Sequence, residues 1–273
     1  MRTLCALTAS SVVVASSITG CSSGSHQESP TPAPPPAGWP PVLNDFTTVW
    51  TAEPGIDVTA WPAVAVRAYT ESYLLATIMG GDRYLYPGFK QAVDPNQGRE
   101  HPTGKRFRWP DTDHPPRDPW VGTEQAHILS VNKSNHDVTV VVCEYLFGTA
   151  EATSYGKYRN HVSAPAPMAG IYPMRLVMTA PDHAGPQQPP QQGPARAPSV
   201  DVFNGWKITS HQGGYFAEFY ATQNEWPNSA RDNDACNAKA PPHRDLLREG
   251  EYPREYFPTL PASPGWPAAK TNH

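Results

Sequence analysis

The chain has 273 residues, enough for one good-sized domain or two small ones, and a net charge of −4. No basic block marks a nucleic-acid surface, and beyond the N-terminus no apolar run approaches the roughly 18–20 residues that a membrane-spanning helix needs. Proline is frequent, with 33 residues, but 8 Trp, 12 Tyr and 8 Phe are enough to build a core. We therefore expect a modest folded domain among long irregular segments.

The N-terminus has the pattern of an export signal. Arg2 makes the start positive, and residues 4–18 are uncharged and apolar or small, a length typical of a signal peptide rather than a spanning helix. The run ends at Ile18-Thr19-Gly20-Cys21, which resembles the lipobox of bacterial lipoproteins. That resemblance implies removal of residues 1–20 and attachment of a diacylglyceryl group, with its palmitate-type chains, to Cys21. The alternative is an ordinary cleaved signal with an incidental cysteine.

Residues 21–41 predict a Ser/Pro-rich tether. Such a segment samples extended conformations, and about twenty residues at roughly 3.1 Å each would reach up to about 60 Å from a membrane. Thr31 between two prolines resembles the O-mannosylated tethers of actinobacterial lipoproteins, although an unmodified spacer is equally compatible. Lipobox, tether and Trp/Pro-rich body together resemble uncharacterised mycobacterial lipoproteins, which implies a location on the outer face of the cytoplasmic membrane.

The first half of the remaining chain predicts helices and loops. After an irregular lead-in over residues 41–55, an apolar stripe predicts an amphipathic helix that begins near Pro62 and ends at Gly80-Gly81. A shorter helical segment over residues 83–93 follows. Residues 101–120 predict a long loop. Its acidic and histidine side chains (His101, Asp111, Asp113 and His114) match the spacing of no defined metal site, which favours a polar surface loop.

The second half changes to a period of two, which predicts strands. Residues 125–132 and 138–147 read as strands joined by a turn at 133–136, and residues 138–143 are apolar on both faces, as in a central strand. Residues 174–178 predict a third strand. Asn204-Gly205 suits a type I′ turn, which predicts a hairpin over residues 200–210.

These elements predict an α+β fold in which a long N-terminal helix packs on a curved antiparallel sheet of four to five strands. The domain would span residues 42–212, with Pro-rich irregular segments at both ends and residues 213–273 as a tail packed on it. Residues 65–89 and Asn204-Gly205-Trp206-Lys207-Ile208 resemble the NTF2-like (cystatin-like cone) fold. The resemblance implies an interior cavity.

That cavity would be lined by side chains of the helix and the last strand, namely Tyr69, Glu71, Tyr73 and Trp206. Ordinary helix and sheet packing of the same four residues is the alternative. Four histidines lie on or beside predicted strands and are further candidates to line a cavity: His127, His136, His161 and His211.

The lipobox also decides which cysteines remain free to form a disulfide. Cys5 would be lost with the signal and Cys21 would carry lipid, so Cys143 and Cys236 remain to form a disulfide in an exported chain. Two free thiols, or a catalytic Cys143, are the alternatives. The valines before Cys143 favour burial, whereas a nucleophilic thiol needs partial exposure.

No sequence motif specifies a reaction: G-x-S-x-G, H-E-x-x-H, a Gly-rich phosphate loop and C-x-x-C are all missing from the sequence. We therefore predict a membrane-anchored cell-envelope lipoprotein, without a cofactor or a nucleic-acid partner. It would serve as a non-catalytic binding or accessory module for a small molecule, a lipid or a protein. The alternative is a small-molecule enzyme of hydrolase or isomerase type with an NTF2-like cavity.

Overall fold

The structure is a computed structural model that describes residues 39–162, 169–183, 188–216, 225–242 and 248–269. The predicted signal peptide, the lipidated Cys21 and the tether up to residue 38 lie outside these ranges. The strands are β1 (Phe46–Ala52), β2 (Trp120–Ser134), β3 (Asp137–Tyr145), β4 (Thr149–Ala152), β5 (Tyr158–Asn160), β6 (Ile171–Thr179), β7 (Lys207–Gly213) and β8 (Glu251–Tyr252). The helices are α1 (Ala63–Met79), α2 (Phe89–Ala92), α3 (Thr103–Arg106) and α4 (Ser229–Lys239). Among the described residues, no helix is both long and apolar enough to cross a membrane.

All eight strands belong to one curled sheet that resembles half of a barrel. Its hydrogen-bonded order is β7-β6-β3-β2-β4-β5-β8, and β1 pairs with β2 outside this path. The pairs along the path are antiparallel, whereas β1 runs parallel to β2 over residues 122–128. β2 is central to this arrangement because its 15 residues are long enough to pair with three other strands.

Helix α1 lies inside the curl, and all 17 of its residues are buried. It ends at Gly80, whose positive φ of 58° and close approach to the His114 carbonyl leave no room for a Cβ atom. The sheet packs against α1, and loop segments around residues 86, 108, 191 and 265 hydrogen-bond to residues on its remaining sides. An amphipathic helix with a solvent face was therefore the wrong expectation.

The predicted α+β fold class is also wrong. The structure is mostly sheet, with eight strands rather than four to five, and α1 follows β1 instead of standing as a long N-terminal helix ahead of the sheet. Apart from α1, the helices of the described residues have 4 to 11 residues. Four strands were missed. β4, β5 and β8 have only two to four residues, too few to show an alternating pattern. β1 has seven residues and lies in the segment expected to be an irregular lead-in, but its buried positions do not alternate.

The regular strands agree better with the sequence. The structure confirms the hairpin of β2 and β3, with Asn135 at a positive φ in its turn, and the strand β6. β3 has strands on both sides and buried side chains on both faces, as its apolar run predicted. Asn204 and Gly205 have φ angles of 52° and 82°, as a type I′ turn requires, but residues 200–203 form no strand and β7 pairs with β6 instead.

The predicted disulfide between Cys143 and Cys236 is present in the structure. Both cysteines are fully buried on the face of β3 that points away from α1, in a small cluster with Tyr145 and Ile171. The Tyr145 hydroxyl donates a hydrogen bond to the Cys236 carbonyl at 2.9 Å. The disulfide therefore fastens α4 to the convex face of the sheet.

The C-terminal segment also reaches the opposite, concave side. Ser263 bonds to β1, because its carbonyl accepts from the Trp50 N–H at 2.7 Å, and so covers the free edge of that strand. Trp266 is then fully buried against α1. The segment that the sequence described as an irregular tail thus contributes a helix, a strand and part of the core.

Candidate functional site

The interior between α1 and the sheet holds two polar clusters, one on each side of the helix. Glu71 is the centre of the first cluster, and Glu144 on β3 is the centre of the second. Both carboxyl groups lie in a largely apolar core, and burial raises the pKa of both.

Glu71 is surrounded by hydrogen-bond donors. Its oxygens accept from Trp50 Nε1 at 2.8 Å, from Trp266 Nε1 at 2.6 Å and from the Tyr86 hydroxyl at 3.1 Å. The guanidinium of Arg67, one helical turn earlier, lies 4.0 Å away. This cation and the three donors counteract the effect of burial on the Glu71 pKa. Glu71 is thus a satisfied, structural carboxylate.

Arg67 is held just as firmly. Its terminal nitrogens donate to the carbonyls of Val58, Gln191 and Gly265 at 3.0, 2.9 and 2.6 Å. Its guanidinium also lies 4.3 Å from the centre of the Trp266 ring. The Arg67–Glu71 pair therefore ties the loops and the C-terminal segment to α1, and the cavity beside it has a free volume of only about 20 Å³.

The second cluster lines a pocket on the other side of α1. Six of its lining residues carry a polar side-chain group: Tyr69, Thr70, Tyr73, Glu144, His211 and Tyr215. Among the described residues, one group donates a hydrogen bond to Glu144, namely the Tyr215 backbone N–H at 3.0 Å. Burial with so few donors raises its pKa to about 7. Glu144 therefore changes its protonation state near neutral pH.

A second carboxyl group lies close to Glu144. Ala126 is the direct cross-strand partner of Glu144, so Glu124 lies two residues along the same face of the sheet. One Glu124 oxygen accepts from the Thr48 hydroxyl at 2.9 Å, and the other has no partner among the described residues. Burial and the neighbouring Glu144 together raise the pKa of Glu124 far above its ordinary value.

His211 contributes a neutral imidazole to the pocket. Its Nδ1 lies 2.8 Å from the Tyr69 hydroxyl, and its Nε2 lies 3.1 Å from the Gly213 carbonyl. Burial lowers its pKa to about 4. The ring of Tyr73 packs edge-on against it, with the ring centres 4.9 Å apart, and burial raises the pKa of this phenol. The side chains of His211, Tyr69 and Tyr73 therefore carry no charge at neutral pH.

The pocket has the groups that acid–base chemistry uses, but little room. A carboxyl that titrates near pH 7, beside an imidazole and two phenols, is a suitable proton donor or acceptor. The free volume is about 10 Å³, which is the space that one water molecule needs. Ligand pockets usually measure several hundred Å³, so in this conformation side chains fill the site.

The structure separates the four residues that the sequence proposed as lining a cavity. Tyr69 and Tyr73 line the Glu144 pocket, whereas Glu71 faces the other cavity. Trp206 is half-buried beside its turn and lines neither cavity. Sequence reasoning missed Glu124 and Glu144, although an acidic residue within an apolar strand was a signal available for Glu144.

A third polar cluster lies on the outer side of β1 and β2. His127 contacts the Thr51 hydroxyl at 2.9 Å through Nδ1 and Glu53 at 3.1 Å through Nε2. This order of hydroxyl, imidazole and carboxylate resembles a nucleophilic triad, but Thr51 is exposed on the surface and lines neither interior cavity. Lys239 of α4 also binds Glu53, at 2.5 Å. The cluster therefore ties α4 to β1.

No metal centre is formed within the described ranges, where no group of three or more His, Cys, Asp or Glu side chains is placed to hold an ion. Asp111, Asp113 and His101 are exposed, and His114 is half-buried. The polar residues of the loop thus do not converge.

Comparison with known proteins adds no relative: no protein-family model matches the chain, and no curated protein or solved structure is significantly similar to it. The resemblances to bacterial lipoproteins and to the NTF2-like fold therefore stay predictions from the sequence.

Proposed function

We propose that the protein is a membrane-anchored lipoprotein of the cell envelope and acts as a non-catalytic binding or accessory module. The anchor would be the lipid on Cys21, at the end of the Ile18-Thr19-Gly20-Cys21 motif. The Pro-rich tether that follows would hold the domain at a distance from the membrane.

The buried disulfide supports an extracytoplasmic location. Disulfides persist in oxidising compartments and are rare in the cytosol of most organisms. Cys143 and Cys236 enclose a loop of 93 residues, and closing a loop of this size stabilises the fold by roughly 4–5 kcal/mol in chain-entropy terms. A domain that depends on such a bond fits an exported protein.

The filled interior is the observation that favours a non-catalytic role. Between α1 and the sheet, the Glu71 and Glu144 cavities leave about 20 and 10 Å³, so each accommodates about one water molecule. A binding partner would therefore meet the outer surface of the domain.

Lipid attachment is tested by expressing the full chain in a bacterium that matures lipoproteins. We expect the protein to partition into detergent, and its N-terminal peptide to begin at Cys21 with the added mass of a diacylglyceryl group. Cys21→Ala is the matched control and should be found in the aqueous phase. A wild-type chain that is cleaved at another residue and carries no lipid would refute the anchor.

The Glu144 pocket favours one second candidate, a small-molecule enzyme that uses Glu144 as its acid or base. Such an enzyme must open the pocket by moving Tyr215 or Phe216, which line it. Native mass spectrometry of the mature protein separates the two functions. A small molecule that co-purifies with the wild type but not with Glu144→Gln would support the enzyme, whereas the mass of the protein and its lipid alone supports the non-catalytic module.

A further inference from the structure

A basic surface groove lies between residues 97–101 and helix α3. It has a volume of about 450 Å³ and is lined by Gln97, Gly98, Arg99, Arg106 and Phe107. In contrast to the two interior cavities, it opens to solvent and is large enough for a small polar group.

The groove has a fixed frame. The Gln97 backbone N–H donates to the Lys105 carbonyl at 2.9 Å, which joins its two sides. Asn96 is bound twice to the backbone of Trp109, through its amide oxygen and its amide nitrogen, each at 2.8 Å. The walls are thus held in place before any ligand binds, which reduces the entropy that binding would cost.

The charge of the groove is positive although the whole chain is negative. Arg99 and Lys105 are exposed, and Arg106 lines the wall. One carboxylate, that of Glu100, lies beside Gly98, and its Oε1 is 3.2 Å from His101 Nε2.

Arg106 has unused hydrogen-bonding capacity. One terminal nitrogen donates to the Thr103 hydroxyl at 2.7 Å, whereas its buried Nε–H has no acceptor among the described residues. A buried donor without an acceptor is costly and uncommon in folded proteins. Arg99 and Arg106 both line the groove, and the donors of a guanidinium fit an anion with several oxygens in pairs.

We propose that this groove binds a phosphate group between Arg99 and Arg106. Phosphate in the envelope is present both as the headgroup of anionic lipids and as a free ion, and the groove would recognise the chemistry that the two share. The lipid source rests on the proposed anchor: about 60 Å of tether exceeds the diameter of a domain of this size, so any face could turn toward the membrane.

The test uses the mature chain from Cys21 onward with Cys21→Ser, so that no attached lipid contributes to binding. Its first arm titrates inorganic phosphate and follows backbone amide shifts by NMR. Its second arm sediments the protein with vesicles of phosphatidylcholine alone or mixed with phosphatidylglycerol. Neither arm requires the lipid on Cys21. The anchor proposal and the groove proposal can therefore be refuted independently of each other.

We expect phosphate to shift the amides of residues 97–107, and anionic vesicles to bind the protein more tightly than neutral vesicles. Shifts with phosphate and no vesicle binding would assign the groove to free phosphate, whereas vesicle binding alone would assign it to lipid headgroups. If neither arm shows binding, the proposal is wrong.

Substitutions locate the site. Arg99→Gln should weaken binding by about five- to tenfold, as expected for the loss of one cation near an anionic surface, and Arg106→Gln by at least as much. Lys157→Gln in the β4–β5 turn removes the same charge elsewhere and should leave binding unchanged. Equal losses for Arg99→Gln and Lys157→Gln would mean non-specific attraction and would overturn the proposal. A thermal melt of each variant checks that it folds.

Discussion

Glu71 and Glu144 are both buried beside α1, yet their surroundings differ. Glu71 has three hydrogen-bond donors and a nearby arginine, whereas Glu144 has one backbone N–H and a second carboxyl group two residues along the neighbouring strand. Hydrogen-bond donors and a nearby cation oppose the rise in pKa that burial causes, so burial alone does not decide the protonation of a carboxyl group. The comparison indicates that Glu71 holds the fold together, whereas Glu144 is a titratable group that the fold tolerates.

Breaking the Glu71 cluster should have the largest effect. In Glu71→Gln, one of the two acceptor oxygens becomes an NH₂ group that faces donors, and Arg67 loses its counter-charge. We expect a loss of about 3–5 kcal/mol in the free energy of unfolding, measured by chemical denaturation at pH 7. Glu144→Gln is the matched control and should not destabilise at this pH. Equal stability of Glu71→Gln and the wild type would show that the cluster is not structural.

Trp266→Phe removes the indole N–H that donates to Glu71. It also removes the indole ring that packs against the Arg67 guanidinium. The lost bond joins a neutral N–H to a charged acceptor, so we expect a cost of about 2–3 kcal/mol. Trp206→Phe, at the half-buried turn, should cost less than 1 kcal/mol. If the two variants lose the same stability in thermal melts, the hydrogen bond to Glu71 contributes little.

The Glu144 pocket should be visible in the pH dependence of stability. The pKa of Glu144 is about 7 in the fold against an ordinary value of 4.5, so its contribution is complete below about pH 4.5 and is lost as the pH rises toward 7. Glu144→Gln, which stays neutral, should therefore gain on the order of 1–3 kcal/mol over the wild type between pH 5 and pH 8.

His211 and His161 act in the opposite direction. Burial lowers their pKa values to about 4 and about 3, so their contributions are complete above pH 6.5 and are lost as the pH falls through these values. Both histidines are present in Glu144→Gln and in the wild type, so their contributions cancel in the difference between the two stabilities. If the melting temperatures of Glu144→Gln and the wild type differ by the same amount at every pH from 5 to 8, the pKa of Glu144 is not raised.

The smallest effect should come from Thr70, whose buried hydroxyl lines the Glu144 pocket without a partner among the described residues. Thr70→Val removes an unsatisfied polar group, so we expect no loss and a gain of up to about 1 kcal/mol. Thr77→Val is the control on the same helix. Its hydroxyl donates to the Tyr73 carbonyl at 2.8 Å, so its loss should cost about 1 kcal/mol. A destabilised Thr70→Val would mean that this hydroxyl has a partner, such as a buried water.

Local sequence signals determined several parts of the fold. The alternation of residues 125–132, the valine run before Cys143 and the turn residues Asn204-Gly205 depend on neighbours within a few positions, and each is found in its expected conformation. The pairing of Cys143 with Cys236 followed from counting the cysteines of an exported chain. The sequence also supplies the whole argument for the anchor at Cys21.

Only the tertiary structure decided how the elements are combined. The parallel pairing of β1 with β2, the pairing of β5 with β8 and the position of Trp266 beside Glu71 all join residues more than 70 positions apart. Local patterns hold no information about such contacts, because burial of α1 on every side depends on which distant segments cover it. The same reason separates Glu71 from Tyr69 and Tyr73: two residues along a helix turn a side chain by about 200°, and only the surrounding fold decides which cavity each one meets.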